Sequence, residues 1–193
     1  MDIVGFITSQ TLFDILFLLL LLAALVLGFV QGAIRRLLGI VSLVLAFLIA
    51  ANLRDPLGAF LAKNWTQFPT EYSYMLAFLG LFVLGSVLLT ILIQGFYHRS
   101  LIRNSQALDE VIGAVLGVVQ AILLVGLVGI ILDSYFKIPG APHTSGELGF
   151  LRSLFEAWDG SDVAVAYRDT LIPAFFSLVG WLVPDAIEAL YRH

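Results

Sequence analysis

The sequence predicts an all-α fold: a multi-span transmembrane helical bundle of about four spans, followed by C-terminal amphipathic helices. Three observations carry that expectation. From Leu12 to Leu53 the chain is almost unbroken apolar residue, interrupted strongly only by Gln31, Arg35 and Arg36. A bilayer core about 30 Å thick takes about 20 helical residues to cross, so this run crosses twice and turns at its polar break. The whole 193-residue chain is 60% hydrophobic and only 12% charged, with a mean hydropathy of +1.00. Soluble domains carry about 25% charged residues, and a surface this poor in charge does not face water on all sides. The apolar runs also carry small residues at helical spacing, the pattern by which helices approach closely in lipid.

Span one is expected over residues 12–30. Thr11 and Asp14 suit the free amides of a first helical turn, while Ala24, Gly28 and Gly32 fall on one face. Span two covers 37–53, with Arg35 and Arg36 at its entrance, placed to snorkel to the headgroups. Gly39, Ser42, Ala46 and Ala50 line one of its faces. The link over 31–36 is short, so spans one and two are expected to be direct antiparallel neighbours. Asp55-Pro56 is expected to end the second helix, because proline disfavours helical geometry in the residue before it. A loop then runs to Thr70, with a short interfacial helix over 57–65 and Trp65 and Phe68 in the headgroup belt. Span three covers 72–96, with Tyr72, Tyr74 and Tyr97 as aromatic anchors and Ser73, Ala77 and Gly80 as a small face. Residues 98–110 form a polar connector. Span four covers 111–132, headed by Asp109, closed by Asp133, and carrying Gly113, Gly117 and Ala121 four apart.

This divides the chain into a membrane domain, residues 1–135, and an amphipathic helical tail, 136–193, joined by the turn-rich 139–142. Residues 148–158 have helical apolar periodicity. Further helices over 161–172 and 174–183 are expected to be separated by Pro173, with a last short one to Tyr191. The tail is read as lying on the membrane surface or on the bundle, with Trp158, Trp181 and Tyr191 seated at the interface. A fifth span over 163–183 is the alternative, and it would have to bury Arg168 and Asp169. Residues 1–10 hold Asp2 and no Lys or Arg, unlike a cleaved signal peptide, so the first span is read as retained. Arg35, Arg36, Arg99 and Arg103 mark one side as cytoplasmic, with both termini on the other.

The chemistry is expected to be sparse. With no cysteine, thiolate metal sites and cysteine nucleophiles are excluded. His98, His143 and His193 lie far apart, outside any metal-ligand spacing. The net charge of −4 and scattered basic residues argue against a nucleic-acid partner. No phosphate-cradling loop, paired zinc-helix histidines or nucleophile elbow is present. No catalytic, cofactor-binding or metal residue is therefore assigned, no cofactor is expected, and the chain is read as non-enzymatic. Asp14 is either a first-turn residue or a functional intramembrane acid, and Asp109 and Glu110 share that ambiguity. The pairs Gly28/Gly32 and Gly113/Gly117 are each GxxxG, serving packing within the monomer or a dimer contact. Arg35 and Arg36 are topology anchors or, as the alternative, contacts to anionic lipid.

Two blocks carry a family resemblance. One is Asp14 at the head of span one, then Gly28-Phe29-Val30-Gln31-Gly32 with Arg35-Arg36 behind it. The other is Leu108-Asp109-Glu110-Val111-Ile112-Gly113-Ala114-Val115-Leu116-Gly117. Over residues 12–132 the chain resembles the colicin V production protein family of the bacterial inner membrane. Glu110 departs from it, standing where a basic residue is frequent, and the tail past Tyr135 is longer than in short members. The resemblance implies a multi-pass inner-membrane envelope protein supporting toxin production or secretion. Asp14, Gly28, Gly32, Arg35, Arg36, Asp109, Gly113 and Gly117 transfer only as family-typical and packing positions. The bilayer is the expected partner, together with further copies of the chain or other envelope proteins. An oligomeric channel or small transporter, its pore lined by Asp14, Gln31 and Gln94, is the alternative function.

Overall fold

Four long helices and a set of shorter ones make up the computed structural model, which describes residues 12–96, 106–138, 147–189 and 191. The expectations placed on residues 1–10, Thr11, Tyr97, His98, Arg99, Arg103, the 139–142 linker, His143 and His193 lie outside the described residues, as does the side chain of Gln94. Helix α1 is Leu12–Gln31, α2 is Ala33–Asn64, α3 is Thr70–Phe96 and α4 is Gln106–Phe136. In the tail, α5 is Gly149–Asp159 and α6 is Asp162–Ala166. A π-helical turn, Tyr167–Leu171, leads into α7, Ile172–Val179, and a 3-10 turn, Gly180–Leu182, precedes α8, Asp185–Glu188. All four long helices, and the segment Asp162–Leu182, are long and apolar enough to cross a membrane. Their outward faces are oil: Leu16, Leu19, Leu22 and Val26 on α1 and Val83, Leu84, Val87, Leu88 and Ile91 on α3 are all exposed. Apolar surface this continuous belongs in lipid, and the protein is a membrane protein.

The link between the first two helices shrinks to one residue. Gly32 has φ +82°, the left-handed region that a side chain disfavours. Its amide still reaches back to the Gly28 carbonyl at 3.0 Å. A Cβ added at Gly32 would also run into the Asp109 carboxylate. Gly32→Ala is therefore expected to cost about 1–2 kcal/mol from backbone strain alone, read as a lowered unfolding midpoint in detergent. An unchanged midpoint means the turn is not held in this conformation.

Beyond that turn the structure corrects the neighbour expectation. α1 packs chiefly on α4 and scarcely on α2. The reason is the small-residue face of α1, which is met by glycines of α4. The corresponding face of α2 turns elsewhere: Gly39 sits against Gln120 of α4, and Ala46 against Gly85 of α3. Phe47 of α2 packs edge-on or tilted against Phe78 and Phe82 of α3, so α2 and α3 form the most extensive helix pair.

Two prolines were expected to break helices and do not. α2 runs through Pro56 to Asn64, leaving only residues 65–69 as a loop, so the separate 57–65 helix is the end of α2. Packing holds both sides of the proline: Ala51 is buried before it, and Gly58 abuts the Tyr74 ring after it. Such contacts outweigh the lost amide of one proline, about 3 kcal/mol. At Pro173 the device is different. The preceding turn is π-helical, with the Ile172 amide bonded to the Tyr167 carbonyl. The wider turn makes room for the ring that an α-helical turn would crowd.

The tail is built into the bundle. Leu151, Trp158, Ala164, Tyr167, Ile172, Phe176, Val183 and Ile187 join the same core cluster as residues of α2, α3 and α4. The contacts of Asp162–Leu182 run across the long helices. Val163 meets Asp14 of α1, Tyr167 meets Ile122 and Gly126 of α4, Phe175 meets Phe47 of α2, and Leu182 meets Asn52 of α2. Two aromatics expected as interface anchors are instead interior. Tyr72 is fully buried, edge-on to Tyr135, and Trp158 is buried between Phe13 and Tyr167. Trp181, 82% exposed, faces outward.

Candidate functional site

The first candidate is the seam between α1 and α4. A Cβ at Gly113 would lie 2.5 Å from the Gly28 carbonyl oxygen and 2.7 Å from the Gly32 carbonyl carbon. One at Gly28 would overlap Gly113 backbone, and one at Gly117 would overlap the Ala24 carbonyl oxygen while standing 3.1 Å from Gly28 Cα. Backbone touches backbone along two helical turns. The pairing of 28 with 113 and 24 with 117 makes the two helices antiparallel. Gly28, Gly32, Gly113 and Gly117 thus meet in one contact inside the monomer.

Acids cap both ends of this seam, each on a helix other than its own. At one end Asp109 Oδ1 accepts from the Ala33 amide at 3.1 Å, the first free amide of α2. At the other, Asp14 Oδ1 accepts from the Val163 amide at 3.3 Å, beside Ser161, whose hydroxyl accepts from the Ala164 amide at 3.1 Å. Together they serve the first turn of α6. A side-chain cap contributes about 1 kcal/mol, and the positive end of a helix favours a carboxylate. Asp14 is 8% exposed. Asp14 and Asp109 therefore lie at opposite ends of the seam and form no pair. Of the two arginines, Arg35 is on the exposed surface, whereas Arg36 turns inward and its Nη1 donates to Gln120 Oε1 at 3.0 Å. Gly39 leaves the room that Gln120 occupies.

The second candidate was missed by sequence reasoning. Asp133, 1% exposed near the end of α4, accepts from Arg168 Nε at 2.9 Å and Nη2 at 2.7 Å. The remaining guanidinium nitrogen, Nη1, donates to Asp159 Oδ1 at 2.6 Å, and the guanidinium lies over the Trp158 ring at 5.8 Å. The Tyr191 hydroxyl donates to Asp133 Oδ2 at 2.7 Å. Burial, and then the Asp133 carboxylate, push the Tyr191 phenol up, so it stays protonated and a donor. The bidentate fork fits a carboxylate in a way lysine would not. One buried carboxylate thus gathers α4, α5, the π-helical turn and the end of the chain. It also answers the cost of placing Arg168 among apolar helices. The signal in the sequence was two unlike charges in apolar surroundings, 35 positions apart.

Nearby, a second network ties the start of α5 to the bundle. Tyr135 Oη donates to Glu147 Oε1 at 2.6 Å, Arg152 pairs with Glu147, and the Leu148 amide donates to Tyr72 Oη at 3.0 Å. What these arrangements do chemically is hold helices. Among the described residues no group of three or more His, Cys, Asp or Glu is placed to hold a metal ion.

The family described as Colicin V production protein matches residues 13–169. That stretch contains the whole seam, both capping acids, Asp133, Asp159 and Arg168, and leaves Tyr191 outside. Searches of curated proteins and of solved structures returned no significant match. With most of its length covered, and with the seam at the positions that carry the resemblance, the chain belongs to the Colicin V production protein family.

Proposed function

We propose that this protein is a multi-pass envelope protein of the bacterial inner membrane that supports production or secretion of a peptide toxin of the colicin V kind, without catalysing a reaction. Its four long helices cross the bilayer, and the tail lies against the bundle at one membrane face. The observation that carries the reading is the use made of its polar groups. Asp14, Asp109, Asp133, Glu147 and Arg168 each hold one helix to another. That is how a rigid membrane scaffold is made, presenting a fixed surface to other envelope proteins or to further copies of itself. The test is toxin export from cells lacking the chain. Secreted toxin is expected to fall and to return with the wild-type protein but not with Gly117→Leu. Export that is unchanged in the deletion removes this reading.

The channel or small-transporter alternative calls for polar side chains facing a shared path. Asp14 and Gln31 stand at opposite ends of α1, one buried and one exposed, and do not supply one together, which favours the scaffold. Reconstituted protein is expected to pass no more solute than empty liposomes, and flux abolished by Asp14→Asn would establish the alternative.

A further inference from the structure

Helix arithmetic sets the level at which polar groups at the tail end of the bundle stand. About twenty residues cover the hydrocarbon core. Counted from Ala33, they end near Asn52 on α2. Counted back from Phe96, they end near Leu76 on α3, and counted from Ala107 they end near Gly126 on α4. Beyond all three limits, by two residues on α2 and by eight on α4, lies a pocket of about 240 Å³ between these helices, lined among others by Arg54, Asp55, Thr70, Glu71, Tyr74 and Ser134. It sits at headgroup depth and mixes one cation, two carboxylates and three hydroxyls.

The charges in it are underused. The Arg54 side chain is only 18% exposed, yet its sole hydrogen bond among the described residues is from Nε to Asp55 Oδ1 at 3.1 Å, a sequence neighbour that is itself 64% exposed. Both terminal guanidinium nitrogens remain to donate, in the geometry that suits a phosphate. Asp55 and Glu71 on the same wall suit a cation, and they oppose a ligand that carries negative charge alone. A group with a phosphate and, a few bonds away, a primary ammonium satisfies both sides. A quaternary ammonium has no N–H to give the carboxylates.

We infer that this pocket binds a phosphoethanolamine group, supplied by a membrane phospholipid whose acyl chains stay in the bilayer while its headgroup enters between α2, α3 and α4. The phosphate meets Arg54, and the ammonium meets Glu71 and Asp55. The inference rests on the proposed membrane placement and is independent of toxin export, so either experiment can fail alone.

The test uses the full chain in detergent, titrated with phosphatidylethanolamine, phosphatidylglycerol or phosphatidylcholine, with bound lipid counted by native mass spectrometry. Phosphatidylethanolamine is expected to bind about tenfold more tightly than the other two, the factor that one charge-assisted contact gives. Glu71→Gln is expected to erase that preference, Arg54→Gln to weaken binding of all three lipids alike because all three carry the phosphate, and Arg54→Lys to restore part of that affinity. The melting curve of each variant shows that it is folded. Water-soluble glycerophosphoethanolamine separates the sources: weak competition supports the lipid, and competition equal to the lipid overturns it in favour of a free solute. Equal retention of all three lipids, a preference that survives Glu71→Gln in folded protein, or affinity unchanged by Arg54→Gln overturns the site itself.

Discussion

Gly117→Leu will part α1 from α4. The new Cβ overlaps the Ala24 carbonyl oxygen and comes within 3.1 Å of Gly28 Cα. These are backbone atoms, which cannot rotate aside as the end of a side chain can. Gly113→Leu meets the same obstacle at the Gly28 carbonyl and the Gly32 backbone. Overpacking an ordinary core costs about 1–3 kcal/mol, and a clash between two helix backbones belongs at or above the top of that range. Separation also withdraws Asp109 from α2 and Asp14 from α6, so loss of the seam spreads to both caps. The measurement is unfolding by titration with a denaturing detergent, followed by loss of helical signal. Leu22→Ile, on the exposed face of α1, is the control and is expected to shift stability by less than about 0.5 kcal/mol. Glycine variants that unfold with the wild type would show that the two helices do not meet there.

Arg168→Met will strand a buried carboxylate. Asp133 keeps only the Tyr191 hydroxyl among the contacts described above, inside a packed apolar setting. Removing one partner of a buried ion pair costs about 3–5 kcal/mol, chiefly because the other charge is left uncompensated. The same principle separates this account from simple loss of packing. Asp133→Leu combined with Arg168→Met leaves neither charge of the pair behind and is expected to recover most of the loss. The readout is the same detergent titration, together with protease cleavage between α4 and the tail. A single Arg168→Met variant within about 1 kcal/mol of wild type would mean the cluster does not hold the tail.

Much of this was legible in the sequence, in a particular way. Composition and apolar run length are properties of single segments, and they gave the four long helices and their order. Small residues four apart marked the faces of α1 and α4, because spacing alone decides which residues share a face. Choice of partner was not legible. Gly28 is compatible with any close neighbour, and a short link argued for α2, but only the fold brings Gly113 to it. Pro56 and Pro173 read as breaks because local preference was all the sequence offered; packing beside Gly58 and the π-helical turn before Pro173 reversed both. The Asp133–Arg168 pair was hidden for a related reason. Asp133 looked like the end of a span and Arg168 like an obstacle to one, and each is explained only by the other.

The pairing of α1 with α4 fixes an order of assembly. As the chain leaves the ribosome, α2 and α3 emerge in succession and satisfy each other through a five-residue loop. The glycine face of α1 has to wait until three further helices, the last of them α4, have been inserted. Asp14 waits longer still, because the amide it caps comes 149 positions later. The newborn protein therefore carries an open groove until α4 arrives, and an uncapped acid until the final sixth of the chain does.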